Sequence, residues 1–114
     1  MPREMLQTLT EPMYYVLLSL AQPRCGIEIM ERARELSGGR VVIGPGTLYT
    51  MLAKFEENRL IAHVEVPDAQ ERGVGGARRK HYVITQTGIA TLRQEYERLA
   101  RMAADGREIM EGSR

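Results

Sequence analysis

The hydrophobic pattern of this chain changes its period at only two places, and those changes constrain the fold more than any other feature. As far as about residue 58, apolar residues recur at helical spacing. The stretches 60–66 and 80–84 then alternate as strands do, and a glycine-rich stretch, 73–76, lies between them. From residue 85 onward the spacing is helical again. The sequence therefore predicts a mainly α chain that carries one small β-hairpin with a long tip.

Capping residues and apolar spacing divide the first part of the chain into three short helices. Thr10, followed by Glu11 and Pro12, predicts the start of the first helix, because proline fits a first turn, where its missing N–H costs nothing. A second helix is predicted after Cys25 and a third over residues 47–58. The side chains expected in the core are Ile27, Met30, Ala33 and Leu36 of the second helix and Leu48, Leu52 and Phe55 of the third.

The last part of the chain predicts a long amphipathic helix capped by Thr85. Gly106 would bend or fray this helix near its end. From Gly88 onward the chain carries five basic and five acidic residues, so a neutral helix of this kind is not expected to bind phosphates. Its seam must be buried against the first helix or against a second copy, and we expect a dimerisation helix. The nearly heptad seam consists of Ile89, Leu92, Tyr96, Leu99, Ala103 and Met110.

Three short helices, a hairpin and a long helix form the layout of a winged helix-turn-helix protein with an added C-terminal helix. We divide the chain into a winged helix-turn-helix DNA-binding domain, 1–86, and a C-terminal amphipathic dimerisation helix, 87–114. The same architecture also serves in protein–protein interaction. A winged-helix interaction module without DNA binding is therefore the alternative function.

The stretch 44–49, Gly-Pro-Gly-Thr-Leu-Tyr, suits the N-terminus of a recognition helix. Such a helix enters the major groove with this end first, so small residues allow close approach and hydroxyl groups reach phosphates or bases. Backbone N–H groups of the first turn favour a phosphate oxygen. The same residues would also fit a plain turn, a packed tyrosine and a solvated lysine. The candidate DNA-binding residues of this helix are Gly46, Thr47, Tyr49, Thr50 and Lys54.

The predicted hairpin separates its charges, with acidic residues on the ascending side and basic residues at the tip and on the descending side. A glycine-rich wing with arginines at its base can lie along the phosphate backbone or place an arginine in the minor groove. A basic, glycine-rich surface loop without a partner would have the same composition. The candidate DNA-binding residues of the wing are Arg72, Arg78, Arg79 and Lys80.

Composition limits the other functions. The formal net charge is only +1, so DNA binding depends on where the basic residues lie. One cysteine allows no internal disulfide, and neither a signal peptide nor an apolar run of membrane length is present, which predicts a cytoplasmic protein. His63 and His81 lack a nearby nucleophile or carboxylate pair, so neither an enzyme nor a cofactor is expected.

The cysteine and the histidines also lack the spacing of a known metal site. Cys25, His63, His81 and Asp68 would have to converge from separate elements, so no metal site is predicted. Cys25 fits either a packing role before a helix or, between Arg24 and Arg32, a redox-sensing role.

Several segments resemble the PadR-like transcriptional regulators in their small form. The resemblance covers nearly the whole chain. Ile27 stands where the family usually has tyrosine, and Asn58-Arg59 replaces a turn that usually contains glycine, where Asn58 is expected to supply the positive φ. The segments that carry the resemblance are Pro23 to Ile29, Gly46-Thr47-Leu48-Tyr49 with Leu52 and Glu56, Leu60-Ile61, Gly75 to Tyr82, and Ile84-Thr85 with Gly88.

This resemblance implies a homodimeric repressor that binds double-stranded DNA at a short inverted repeat. It also implies release from DNA by a small-molecule effector, as in many members. Some relatives bind flat aromatic drugs between tryptophans at the dimer centre. This chain has no tryptophan, so that mode of binding is not expected.

Overall fold

A computed structural model describes residues 8–67 and 78–112 of the chain. The described residues form four α-helices and a two-stranded antiparallel sheet, which confirms the predicted mainly α chain with one hairpin. None of the described helices combines the length and the apolar character needed to cross a membrane. In chain order the elements are α1 (Glu11–Ser19), α2 (Gly26–Leu36), α3 (Pro45–Glu57), β1 (Ile61–Pro67), β2 (Arg78–Ile84) and α4 (Gln86–Met110).

Helices α1, α2 and α3 surround a single apolar core. The hydroxyl of Thr10 accepts a hydrogen bond from the Met13 N–H (3.3 Å), which confirms the predicted cap of α1. The predicted core face of α3 is confirmed as well, because its three residues are almost completely inaccessible. The largest fully buried apolar side chains are Val16, Leu17, Leu20, Ile29, Leu48, Leu52 and Phe55.

The predicted core face of α2 is confirmed at Ala33 and at Met30, which packs against the core, and is wrong at Ile27 and Leu36. Ile29 and Ala33 are fully buried, whereas Ile27 is 53% exposed and Leu36 also lies on the surface. Isoleucine occurs at both 27 and 29, so apolar spacing alone is compatible with two faces of the helix. Packing in the core selects the face that includes Gly26, Ile29 and Ala33, and the glycine lets the Tyr49 side chain of α3 approach closely.

The turn after α3 has the hydrogen bonds of a Schellman motif, with the Leu60 N–H donating to Phe55 O and the Arg59 N–H to Glu56 O, each at 2.9 Å. Arg59 has a φ of 64°, whereas Asn58 has a φ of −93°. The expectation that Asn58 supplies the positive φ is therefore wrong. Asn58 is the last residue with a helix-like backbone, and the left-handed position follows it.

The hairpin pairs Ile61 with Ile84 and continues in register to Pro67 with Arg78. β1 has the predicted length but lies one residue later than the stretch 60–66, whereas β2 begins two residues before the predicted stretch 80–84. The other edge of β2 bonds to the segment before α2, since the Arg24 N–H donates to Tyr82 O (3.0 Å) and the Tyr82 N–H donates to Arg24 O (2.8 Å). These bonds hold the hairpin against the start of α2.

The first half of α4 packs against the other described elements through Gly88, Leu92 and Glu95. Thr85 accepts a hydrogen bond from the Gly88 N–H (3.0 Å), as predicted, and Gly88 lies against the carbonyl of Leu60. The described residues measure 66 Å along their longest axis because the second half of α4 extends away from the core. The helix continues through Gly106 to Met110, so the fraying expected from that glycine onward is not observed.

Candidate nucleic-acid interface

The N-terminal half of α3 is anchored from behind and open in front. Leu48 is fully buried, whereas Gly46, Thr47 and Thr50 are exposed and Lys54 is half-buried. The first turn contains no acidic residue. These four candidate residues of α3 therefore share one accessible surface.

The start of α3 presents its backbone N–H groups to that same surface. The first intrahelical bond joins the Leu48 N–H to Gly44 O (2.9 Å), so the N–H groups of Gly46 and Thr47 precede the helical ladder. Gly44 has no side chain with which to cap them. The uncapped N–H groups and the partial positive charge of the helix start favour an anion such as a phosphate.

A groove runs between this surface and the start of α1. One side of the groove is formed by Thr10, the cap of α1, and by Met13 of α1. The α3 side includes Thr47, Thr50 and Lys54. Sequence reasoning did not anticipate the α1 side, because Thr10 was interpreted only as a helix cap. Its hydroxyl still caps α1, while its exposed side chain also borders α3.

Tyr49 lies on the flank of α3 and contacts α2. Its ring is next to Gly26, where an added Cβ would lie 2.9 Å from the ring carbon Cζ and would overlap the hydroxyl oxygen. The side chain is still 50% exposed. Tyr49 therefore packs on a neighbour and keeps one accessible edge.

The wing residues fall into three groups. Lys80 is exposed and stands opposite Glu65 in the hairpin register. Arg79 is half-buried, and its guanidinium Nη1 lies 4.0 Å from Cys25 Sγ at the start of α2. Arg78 begins β2, while Arg72 and the glycine-rich tip lie outside the described residues.

The described residues of one chain leave the C-terminal seam largely uncovered. Leu92 packs against the core, whereas Ile89, Tyr96 and Leu99 are exposed, Tyr96 by 59%. Ala103 and Met110 are exposed farther along α4. The same helix also exposes Met102 and Ile109, which the heptad pattern did not include.

A buried carboxylate joins α4 to the segment before α1. Glu95 is only 2% exposed and accepts hydrogen bonds from the Arg98 guanidinium (2.7 and 2.9 Å) and the Leu9 N–H (3.3 Å). The bonds from Arg98 and Leu9 lower the pKa of Glu95 against the opposing effect of burial. In the sequence Glu95 and Arg98 are two of the ten charged residues counted from Gly88 onward, and nothing distinguishes them there, so this anchor was missed. Tyr14 of α1 is partly buried near this anchor, and burial raises the pKa of its hydroxyl above the ordinary value.

The two histidines have different surroundings. His63 on β1 pairs with Glu56 of α3. His81 on β2 lies beside Cys25 and Glu28 at the start of α2. Cys25 and His81 are thus neighbours, although nothing in their sequence positions indicated this, and Asp68 lies outside the described residues.

Two packed helices, an exposed third helix and an adjoining β-hairpin define this chain as a winged helix-turn-helix protein. Residues 16–94 match the transcriptional regulator PadR-like family. The match spans more than half of the chain, and the chain belongs to this family. Members are transcriptional regulators and not enzymes, which agrees with the expectation from the sequence.

Several solved structures share the fold of this chain. A PadR-like transcriptional regulator from Bacillus cereus has a TM-score of 0.70 at 18% identity, covering 96% of this chain and 99% of its own. A PadR family regulator from Clostridium difficile has a TM-score of 0.66 at 24% identity, with coverages of 88% and 97%. One from Eggerthella lenta has a TM-score of 0.64 at 24% identity, with coverages of 90% and 82%. Among curated proteins, no sequence matches this chain.

Proposed function

We propose that this transcriptional regulator is a homodimeric repressor that binds an inverted-repeat operator with α3 in the major groove. The observation that carries the proposal is the first half of α3, which exposes Gly46, Thr47 and Thr50 without an acidic residue while Leu48 is buried behind them. A helix held in this way can approach DNA closely without leaving its own core. Binding would block the promoter by occupying it.

The candidate side chains divide into base-contacting and phosphate-contacting groups. The short hydroxyl side chains of Thr47 and Thr50 suit base edges or nearby phosphates. Lys54 and Lys80 suit the phosphate backbone, as do the remaining wing arginines, Arg72, Arg78 and Arg79. Tyr49 has the weakest case of the α3 residues, since part of its surface already packs on α2.

Dimerisation through α4 supplies the second DNA-binding domain. The exposed seam that includes Tyr96 and Leu99 is an apolar surface that a second copy could bury. In this proposal residues 1–86 bind DNA and residues 87–114 join the two copies. An inverted repeat requires two recognition helices separated by about one DNA turn, about 34 Å. Release by a small-molecule effector is the last part of the proposal, and family resemblance alone supports it.

The division of roles can be tested with two variants and one control. Thr50→Ala is expected to weaken binding to the operator more than binding to random DNA, whereas Lys80→Ala should weaken both about equally. Thr87→Ala is the matched control, because Thr87 is an exposed threonine in the first turn of α4. Fluorescence anisotropy with operator and random duplexes measures both affinities. If Thr50→Ala, like Lys80→Ala, weakened binding to the operator and to random DNA by the same factor, the proposed division of roles would be contradicted.

Salt dependence tests the phosphate contacts separately. If Lys54, Arg78 and Lys80 of each subunit meet one phosphate, six contacts give a slope of about −5 for log K against log salt concentration. Lys80→Ala removes two of those contacts from the dimer and should make the slope shallower by about 2. Binding that does not depend on salt would contradict this arrangement.

A further inference from the structure

Three potential metal ligands meet where the hairpin touches α2. Cys25 Sγ, a carboxylate oxygen of Glu28 and a ring nitrogen of His81 all lie within 4.8 Å of one another. Cys25 is buried, His81 is half-buried and Glu28 is exposed, so the cluster opens to solvent on the Glu28 side. These side chains come from the start of α2 and from β2.

Backbone hydrogen bonds already hold the two elements in place. Arg24 and Tyr82, each adjacent in sequence to a member of the cluster, exchange two hydrogen bonds of 3.0 and 2.8 Å. Glu28 accepts a bond from the Cys25 N–H through Oε1 (3.0 Å), which fixes its carboxylate near the thiol. The cluster therefore does not require a change of the backbone to come together.

The imidazole of His81 is oriented as a metal ligand. Its Nδ1 lies 3.2 Å from Arg79 O, and because a carbonyl oxygen can only accept, Nδ1 must carry the proton. In the neutral ring Nε2 then offers its lone pair, and this atom lies 3.9 Å from Glu28 Oε1. Metal-ligating histidines commonly donate their other ring N–H to a backbone carbonyl in this way.

We propose that Cys25, Glu28 and His81 bind a divalent transition-metal ion, and that zinc fits the donor set best. Thiolate sulfur, imidazole nitrogen and carboxylate oxygen are all established zinc ligands, and three protein ligands leave a fourth position for water. On binding, the thiol loses its proton to solvent and the sulfur bonds to the metal. Thiolate and carboxylate together carry two negative charges that offset the dication, and the Arg79 guanidinium, with Nη1 4.0 Å from Cys25 Sγ, adds one positive charge beside the site.

The ion would join α2 to the wing strand next to the recognition helix. Cys25 immediately precedes Gly26, on which Tyr49 of α3 rests. Metal bound there would stabilise the arrangement of α2, α3 and β2 relative to one another. The site itself does not depend on the proposed DNA binding, and the test below does not use DNA.

Cobalt(II) is a suitable probe because its bond to a thiolate gives a charge-transfer absorption. The chain has a single cysteine, so this absorption can report only Cys25. Untagged full-length protein is titrated with cobalt(II) and then with zinc(II). We expect saturation at one cobalt per chain and displacement by zinc. Zinc should also raise the melting temperature, because it binds the folded chain preferentially.

Four variants separate ligands from structural residues. Glu28→Gln retains an oxygen that can accept the Cys25 N–H bond, so it removes the charged ligand with little effect on the helix start. Glu28→Gln and His81→Gln should each weaken cobalt binding at least tenfold, since even a lost supporting partner costs about 10- to 100-fold. Cys25→Ser should abolish the charge-transfer absorption. His63→Gln, which changes the histidine on the neighbouring strand, should bind as the unaltered chain does.

Circular dichroism at the titration temperature confirms that each variant is folded. Absence of the charge-transfer absorption from the unaltered folded chain would overturn the proposal. Cobalt affinities unchanged in both folded Glu28→Gln and folded His81→Gln would also overturn it, because the metal would then be bound by Cys25 without these partners.

Discussion

The ring of Tyr49 in α3 rests on Gly26, the first residue of α2. A Cβ at position 26 would overlap the Tyr49 hydroxyl, so the ring can lie this close to α2 only because residue 26 is a glycine. The ring is half exposed and can move outward. The contact therefore determines the position of Tyr49 beside the exposed face of α3.

Gly26→Ala is expected to push the Tyr49 ring outward and to weaken DNA binding. The free energy of unfolding should change by less than about 1 kcal/mol, because the displaced atoms are the end of a flexible side chain. In a chain that already carries Tyr49→Ala, the Gly26→Ala substitution should cause no further loss of DNA affinity. A double-mutant cycle measured by anisotropy checks this coupling. Additive losses would show that the effect of Gly26→Ala on DNA affinity does not act through the position of Tyr49.

Gly88→Ala is expected to destabilise the chain by about 2–3 kcal/mol, as overpacking of a tight site does. A Cβ there would overlap the carbonyl oxygen of Leu60 and lie 2.7 Å from Ile84 Cγ1, so backbone would have to move. Gly106→Ala is the matched control on the same helix, because a Cβ at Gly106 meets no atom within 4 Å among the described residues. That control should stabilise the chain by about 0.5–1 kcal/mol. Urea unfolding measures both, and a neutral Gly88→Ala would contradict the described packing of α4.

Arg59→Gly is expected to stabilise the chain by about 1 kcal/mol. Arg59 has a φ of 64°, a left-handed conformation that costs a residue with a Cβ about 1–2 kcal/mol. Glycine removes that cost but loses more freedom on folding, so the net gain is smaller. Arg59→Ala keeps the strained backbone and separates this effect from loss of the guanidinium. Thermal unfolding in which glycine and alanine behave alike would argue against a left-handed residue 59.

Glu95→Gln is expected to destabilise the chain near neutral pH but not in acid. Hydrogen bonds from Arg98 lower the folded-state pKa of Glu95 below its ordinary value of 4.5. The charged carboxylate therefore stabilises the fold above the unfolded-state pKa, and this stabilisation is lost as pH falls through the lowered folded-state pKa. Melting temperatures at several pH values should converge for the two chains toward low pH. Glu97→Gln, an exposed position on α4, is the control. A pH-independent difference for Glu95→Gln would refute the charged role.

The strongest sequence signals predicted the elements and the core of α3. Leu48, Leu52 and Phe55 have one helical spacing and no competing apolar face, and all three are buried. The predicted core face of α2 was wrong at Ile27 and Leu36. Ile27 and Ile29 fit two alternative apolar faces of this helix, which only packing could separate. Local sequence therefore predicts the presence of a helix more reliably than it predicts the face that the helix buries.

Other features depend on tertiary structure that the sequence pattern does not encode. The cluster of Cys25, Glu28 and His81 forms because β2 pairs with the segment before α2, a contact between residues far apart in the chain. The left-handed position of the turn after α3 falls at Arg59, one residue later than the position of Asn58 at which it was expected. Neither outcome follows from residue type alone.

The most direct test of the central claim is a gel shift with purified full-length protein and the intergenic DNA upstream of its own gene. We predict a shifted complex that contains two chains per DNA site and persists in excess random DNA. Thr50→Ala should weaken this complex, whereas Thr87→Ala should not. Autoregulation is common among repressors of this kind, so the upstream DNA is the first fragment to use. Absence of a specific shift across tiled upstream fragments, even at low salt, would contradict DNA binding and favour a winged-helix protein interaction module.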